Sequence, residues 1–171
     1  CNRAAFIGKV GKDSLSRFVY ETMEREGVDI SRVSVSDEGQ IGLAFVEYRP
    51  EGRNFQYYRS NSVGSKFSPE DVDEEYIRSA SAIHYSGMLL EVSEEMRAAC
   101  RKCVAIAKEA GVTVSFDPNI RKEVLKNTQA KQRMLEAVKT ADIIAPTLEE
   151  ARFITGKEEP LDILKELHRL G

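Results

Sequence analysis

Apolar residues recur along the chain with two different periods, and each change of period predicts a change of secondary structure. Residues 4–10 form a short apolar run that is typical of a strand. After this run, apolar positions follow one another at spacings of three and four residues as far as Gly27, which predicts a helix with Asp13 as its N-cap. The chain is therefore expected to open with a strand and a helix.

Between residues 31 and 66 the helical spacing is lost and the pattern alternates as it does in strands. Strands are predicted over residues 32–36, 41–48 and 54–60. Little apolar sequence stands behind them, so we expect a small sheet that stands off the main body. Apolar side chains occupy both faces of the middle strand, which predicts that one face covers a ligand and the other contacts protein.

The last of these strands carries a candidate anion site. Side chains alternate along a strand, so Tyr57 and Arg59 share one face and Tyr58 points to the other. An arginine beside a tyrosine hydroxyl can clamp an anion. A surface sheet with a solvated arginine is the alternative.

After Pro69 strands and helices alternate again. The predicted strands are 81–85, 112–116 and 142–145, and the predicted helices are 70–79, 94–110, 129–139 and 148–155. This alternation predicts an α/β fold with a mostly parallel sheet flanked by helices. Because the carboxyl ends of parallel strands share one edge, we expect Gly87, residues 117–121 and residues 146–150 to meet there.

Polar and charged residues directly follow the predicted strand at residues 112–116. Asp117, Pro118, Asn119 and Arg121 place an acid, a fixed φ, an amide and a guanidinium directly after it. An ordinary turn, in which the acid and the amide cap backbone groups, is the alternative. In either case Asp117 is expected to brace its own loop.

Composition and charge narrow the class of function. The net charge is −3, with 42% hydrophobic and 31% charged residues, so the basic surface of a nucleic-acid binder is missing and no nucleic-acid partner is expected. No stretch approaches 18 apolar residues, so neither a membrane span nor a membrane partner is expected. These features, with no signal-like start, predict a cytoplasmic protein.

The cysteines give no sign of a metal or disulfide site. The chain has three cysteines, an odd number, which favours reduced thiols. Cys100 and Cys103 form a Cys-x-x-Cys motif, but both fall on the apolar stripe of a predicted helix, and no paired histidines accompany them. We expect core cysteines.

The length of 171 residues suits one domain. The chain starts without methionine, directly before an apolar run, and stops at Gly171, where a helix C-cap would stand. Both ends are expected to be cuts through a larger fold.

The residues resemble a known family, the ribokinase-like (PfkB) carbohydrate kinases. The segments that carry the resemblance are residues 5–13, 84–87, 117–121, 146–151 and 155–156, in this order. The resemblance implies a ribokinase-like α/β core, formed by residues 1–30 and 67–171 and incomplete here. It also implies that residues 31–66 are the family's β-sheet lid, through which two subunits commonly form a homodimer.

Within the family, residues 55–62 are most similar to the Tyr-Tyr-Arg segment of 2-keto-3-deoxygluconate kinases. The resemblance implies that Tyr57, Tyr58 and Arg59 bind an acidic sugar together with Arg121. The chemistry agrees, because a guanidinium fits a carboxylate in two-point fashion.

The resemblance also implies where the cofactors ATP and Mg²⁺ bind. Asn119, Arg121 and Thr147 are then the ATP-binding residues, and Glu150 helps to organise Mg²⁺ through water. Arg121 is in addition the catalytic residue that neutralises transition-state charge.

Three departures from the family pattern matter. Thr147 stands where most members have asparagine, and Ala44 stands where ketodeoxygluconate kinases tend to have a lid tyrosine. The Gly-Ala-Gly-Asp motif with the general-base aspartate is absent from residues 1–171, as is the N-terminal substrate segment. The 171-residue chain alone is therefore expected to be inactive.

The sequence thus predicts an ATP-dependent kinase that phosphorylates a small sugar acid, with 2-keto-3-deoxygluconate as the first candidate. A fructokinase or ribokinase of the same family is one alternative. A non-catalytic sugar- or nucleotide-binding relative is the other.

Overall fold

The structure, a computed structural model, describes residues 3–50, 52–120 and 128–171. The chain forms two compact units, Cys1–Val72 and Asp73–Gly171. Each unit contains parallel strands and helices, in agreement with the predicted α/β class.

The first unit opens with a strand, a helix and a second strand. They are β1 (Ala5–Val10), α1 (Ser14–Arg25) and β2 (Asp29–Val35). Asp13 is the N-cap of α1, as predicted: its Oδ1 accepts from the backbone N–H groups of Leu15 at 3.1 Å and Ser16 at 3.0 Å. Strand β2 lies parallel to β1, with Gly8 opposite Val33.

The small sheet predicted between residues 31 and 66 is a hairpin of two strands. Strands β3 (Leu43–Arg49) and β4 (Gly52–Tyr58) pair antiparallel. The third strand expected in this sheet forms as part of β2, but it pairs with β1, so a three-stranded lid is wrong. The physical reason is that alternation fixes which faces a strand presents, whereas its partner is chosen by the connection through α1. The lid boundary at residues 31–66 stays a prediction.

Two short 3₁₀ turns, Val63–Lys66 and Pro69–Asp71, complete the first unit. Lys9 Nζ lies 2.8 Å from Asp71 Oδ2, which ties β1 to the second turn. The apolar interior of this unit is small. It comprises the buried residues Val10, Val33, Val63, Phe67 and Val72.

The second unit contains a parallel sheet in the order β5, β6, β7. Its strands are β5 (Ala82–Ser86), β6 (Thr113–Asp117) and β7 (Ile143–Ile144). Its helices are α2 (Glu74–Arg78), α3 (Glu94–Ala110), α4 (Thr128–Thr140), α5 (Leu148–Thr155) and α6 (Pro160–Leu170), and a 3₁₀ segment covers Gly87–Glu91.

Helices α3 and α5 have the predicted bounds because their ends carry local signals. Ser93 caps α3 by accepting from the N–H of Met96, and Gly111 ends it in the left-handed conformation at φ +71°. The helix predicted over 70–79 is instead split into the 3₁₀ turn Pro69–Asp71 and α2. The split follows from Asp73, which caps a new helix by accepting from Tyr76 N–H.

The core of the second unit lies between the sheet and helices α3 to α6. Its largest buried members include Phe116, Met134, Ile154 and Ile163. Cys100 belongs to this cluster, which confirms its assignment to the core, whereas Cys103 is only half-buried and lies outside the cluster. Within the described ranges, no helix is both long and apolar enough to cross a membrane.

Candidate functional site

Three segments follow the strands of the second unit and meet at one edge, as the alternation predicts. Gly87 follows β5 and approaches the loop after β6 so closely that no side chain fits. A Cβ at Gly87 would clash with the carbonyl oxygen of Pro118 and lie 2.7 Å from Met134 Sδ. Glycine is therefore required here by close approach.

Beneath this edge the strands are joined by aromatic packing. The rings of Tyr85 and Phe116 are 4.9 Å apart between centroids. Burial raises the pKa of Tyr85 to about 12. Its hydroxyl stays neutral at physiological pH, so the residue supports the edge as a packing group.

The loop after β6 is braced by its own acid. Asp117 Oδ1 accepts from the backbone N–H of Asn119 at 3.0 Å, as predicted. Asn119 adopts φ +41°, a left-handed conformation that asparagine tolerates better than most residues. Pro118 between them is fully buried. The loop therefore has a defined shape as far as Ile120.

Glu150 links this loop to helix α5. Its Oε1 accepts from the backbone N–H of Ile120 at 2.6 Å. Its Oε2 accepts from the backbone N–H of Thr147 and from Thr147 Oγ1, both at 2.8 Å. Thr147 Oγ1 in turn accepts from the N–H of Glu150 at 3.3 Å, which completes a capping box at the start of α5.

The hairpin of the first unit places its aromatic residues as the alternation predicts. The guanidinium carbon of Arg59 lies 4.6 Å from the ring centroid of Tyr57. Tyr58 points to the other face, where its ring meets Phe45 edge-on at 5.6 Å. Tyr57 Oη is buried, and within the described ranges it has no hydrogen-bond partner. Ala44 pairs directly with Tyr57 across the hairpin.

Several predicted residues come together and one lies outside the described residues. Asn119, Thr147 and Glu150 gather at the edge of the second unit, whereas Tyr57, Tyr58 and Arg59 belong to the first unit. Arg121 lies outside the described residues. His84 hydrogen-bonds Ser115 on the neighbouring strand, with Nδ1 3.0 Å from Oγ, which indicates a structural role for this histidine.

Sequence reasoning missed the part played by Ile120. A backbone N–H carries no residue identity, so nothing in the sequence marks it as a donor to Glu150. The Thr-x-x-Glu spacing at Thr147 and Glu150 was the available signal, because it is typical of a capping box.

The described residues can be compared with the needs of a magnesium ion. They contain no group of three or more His, Cys, Asp or Glu side chains that could hold a metal. Magnesium often keeps several waters and uses one or two carboxylates together with substrate phosphates. Glu150 accepts one hydrogen bond at Oε1 and two at Oε2, which leaves an acceptor position on Oε1. Glu150 therefore fits a contact to Mg²⁺ through water.

Comparison with known proteins decides the family. Residues 1–171 match the pfkB family carbohydrate kinase model. The chain belongs to the pfkB family of carbohydrate kinases. A pfkB protein from Polaromonas sp. JS666 has the same fold, with a TM-score of 0.92 and 28% identity over 99% of this chain and 58% of its own. The predicted fold class is thereby confirmed.

Another solved structure was obtained with nucleotide. An E. coli protein in complex with ATP and Mg²⁺ superposes with a TM-score of 0.90 and 30% identity, covering 99% of this chain and 54% of its own. It shows the same fold in a nucleotide complex.

The curated relatives bear on the substrate. "Probable fructokinase-2" of Arabidopsis thaliana is 34% identical over 91% of this chain and 48% of its own length. Other plant relatives at 31% to 34% identity are also named fructokinases. The finer resemblance to 2-keto-3-deoxygluconate kinases is thus not supported by these relatives. This pfkB chain spans about half the length of the curated relatives it matches.

Proposed function

We propose that the complete protein transfers the γ-phosphoryl group of ATP to a hydroxyl of a small sugar, with Mg²⁺ as cofactor and fructose as the first candidate substrate. The observation that carries this proposal is the family match over residues 1–171. The names of the plant relatives favour fructose. The meeting of Asn119, Thr147 and Glu150 at one edge supports a phosphate-binding role there.

The proposed roles follow the chemistry of phosphoryl transfer, which depends on positioning and on neutralising charge. Asn119 and Thr147 would contact ATP, and Arg121 would neutralise charge in the transition state. Glu150 would hold Mg²⁺ through water, and the ion would supply charge neutralisation at the phosphates. The general base would come from sequence beyond these 171 residues.

A second candidate, a sugar acid such as 2-keto-3-deoxygluconate, is favoured by the hairpin. In the described part of the chain, neither the Tyr57 hydroxyl nor the Arg59 guanidinium makes a hydrogen bond, and the guanidinium stacks on the Tyr57 ring. Stacking leaves the N–H groups at its edge available for a carboxylate. A neutral hexose does not require that cation.

A substrate panel tests the proposal. The complete protein, ATP and Mg²⁺ would be assayed with fructose, ribose and 2-keto-3-deoxygluconate. We expect the highest kcat/KM with fructose. A clear preference for the acid would favour the second candidate, and nucleotide binding without turnover of any sugar would favour the non-catalytic alternative.

Arginine substitutions separate the two sugars. If fructose is the substrate, Arg59→Ala should change kcat/KM little. If the acid is the substrate, the loss of a charged hydrogen bond should lower kcat/KM about 10- to 100-fold. Arg53→Ala is the matched control, because Arg53 is an exposed arginine on β4, the strand that ends directly before Arg59.

We propose further that two subunits associate through the hairpin. Both faces carry exposed apolar side chains; Phe45 is 57% and Tyr58 60% exposed on the face opposite Tyr57. Phe45→Asp should therefore shift the protein from dimer to monomer in light scattering. Tyr48→Asp, on the Tyr57 face, is the control and should leave the mass unchanged.

A cytoplasmic location is part of the proposal. ATP-dependent chemistry and the free thiols of Cys100 and Cys103 support it. Fractionation of cells that produce the complete protein would test it, and recovery from a secreted or membrane fraction would contradict it.

A further inference from the structure

A hydrogen bond between Glu150 and Ile120 joins two segments at the sheet edge of the second unit. It joins two segments that lie 30 residues apart in sequence, and its length is 2.6 Å. The acceptor is a carboxylate and the donor is a backbone N–H, so the bond is charge-assisted and stronger than a neutral one. Both residues are half-buried, which limits competition from water.

The loop that donates this hydrogen bond contains a residue in an unfavourable backbone conformation. Asn119 is held at φ +41°, outside the favoured regions for a residue with a side chain. On the N-terminal side the loop is held by Asp117 and by Pro118 packed against Gly87. On the C-terminal side of Asn119, the bond to Glu150 fixes the backbone at Ile120. Ile120 directly precedes Arg121 in the sequence, so the bond acts next to a residue to which the proposed function gives a role.

Glu150 is itself well fixed. The two hydrogen bonds from Thr147 hold Oε2 at the start of α5, so Oε1 has a defined position toward Ile120. Helix α5 in turn packs in the core through the buried residues Ala151 and Ile154. The carboxylate of Glu150 thus connects the loop after β6 to a helix that is packed in the core.

We propose that Glu150 is a positioning residue that holds the Asn119 loop in its working shape, a role that rests on the proposed kinase function and is separate from any contact with Mg²⁺. A carboxylate that only met the metal through water would not need a backbone donor from the loop. Glu150 would then both fix the shape of the Asn119 loop and contact Mg²⁺ through water.

Hydrogen exchange at Ile120 tests the positioning directly. The complete protein is measured without nucleotide or Mg²⁺, and the exchange rate of the Ile120 amide is compared with those of buried amides in α3. Glu150→Ala should accelerate Ile120 about 10- to 100-fold relative to α3, because a charged hydrogen bond is lost. Glu149→Ala is the matched control, an exposed acid in the same helical turn, and should leave the ratio within about twofold.

Glu150→Gln keeps the side-chain volume and one acceptor, and it carries the test if the alanine variant does not fold. It should accelerate Ile120 to a smaller extent, about 3- to 10-fold. An unchanged Ile120 rate in a folded variant would overturn the proposal. Equal acceleration of Ile120 and α3 would also overturn it, since Glu150 would then only stabilise the fold.

Kinetics at varied Mg²⁺ separate the positioning role from a metal role. In the complete protein, Glu150→Ala should lower kcat about 100-fold, and saturating Mg²⁺ should not restore it. Full recovery at high Mg²⁺ would overturn the proposal. If the wild-type protein phosphorylates no sugar, the proposed function fails, while the exchange experiment still decides whether Glu150 holds the loop.

Discussion

Arg133 and Glu91 form a two-point ion pair that ties helix α4 to the segment after β5. Arg133 Nε lies 2.7 Å from Glu91 Oε1, and Nη2 lies 2.6 Å from Oε2. The side chains are only 20% and 13% exposed, respectively. The pair is therefore better shielded from water than the ion pair between Arg169 and Glu166, in which the arginine is 71% exposed.

Breaking this pair should destabilise the protein. Arg133→Ala leaves a shielded carboxylate without its partner, and we expect the free energy of unfolding to fall by about 1–3 kcal/mol. Urea denaturation measures the change. Arg169→Ala is the control and should have little effect. Equal effects of the two substitutions would mean that shielding does not matter here.

Gly87→Ala should be among the most destabilising small substitutions in the chain. The added Cβ meets the Pro118 carbonyl oxygen, a backbone atom that cannot move without shifting the loop. We expect a loss of about 3 kcal/mol in thermal or urea unfolding, at the upper end for overpacking. At Gly64 an added Cβ would lie 3.8 Å from the Lys9 carbonyl oxygen, so Gly64→Ala should be tolerated. Similar losses at both positions would contradict this reasoning.

Acid should weaken the start of helix α1 through Asp13. Hydrogen bonds, first from the Ser16 hydroxyl and then from its backbone N–H, hold the pKa of Asp13 below its ordinary value of 3.8. The folded pKa is lower than the unfolded one, so the stabilisation is present above pH 3.8 and is lost as the pH falls through the folded value. Asp13→Asn should therefore flatten the decline of Tm below that pH. A decline as steep as in the wild type would assign it to other carboxylates.

The thiols of Cys100 and Cys103 should resist alkylation in the folded protein. Burial is the main cause that raises the pKa of Cys100 to about 12 and that of Cys103 to about 11. Relative to an ordinary thiol, the thiolate fraction at pH 8 falls about 1,000-fold and 100-fold. Mass spectrometry after iodoacetamide treatment should find both unmodified until urea is added. Rapid native labelling of Cys100 would place it outside the core.

Local sequence signals predicted most of the helices and strands. They did not predict which strands pair when those strands are far apart in sequence. Helix α3 could be bounded from Ser93 and Gly111 because caps act on neighbouring backbone groups. Strand β7 is shorter than predicted because a side chain replaces a backbone acceptor at its start. Asp142 Oδ2 accepts from the backbone N–H of Val114 at 2.8 Å. The pairing of β2 with β1 depended on a connection that alternation does not encode.

In the candidate site, too, local relationships were predictable from the sequence and long-range ones were not. The shared face of Tyr57 and Arg59 follows from strand alternation and was predictable. The brace of Asp117 within its own loop is a local turn and was also predictable. The bond from Ile120 to Glu150 was not, because it arises only when two distant strand ends meet at the sheet edge.

The β3–β4 hairpin has a consequence for the order of folding. Its strands are adjacent in sequence and can pair in about 1–10 μs, whereas the parallel pairs must wait for their crossover connections. The run Leu43–Val46 would then meet solvent early, in a chain whose cores are not yet assembled. Charged residues stand directly beside it: Glu47 accepts from Arg49 at 2.8 Å and from Asn54 at 3.3 Å. These charges oppose pairing of the newly formed hairpin with strands of other chains while the rest of the polypeptide is still folding.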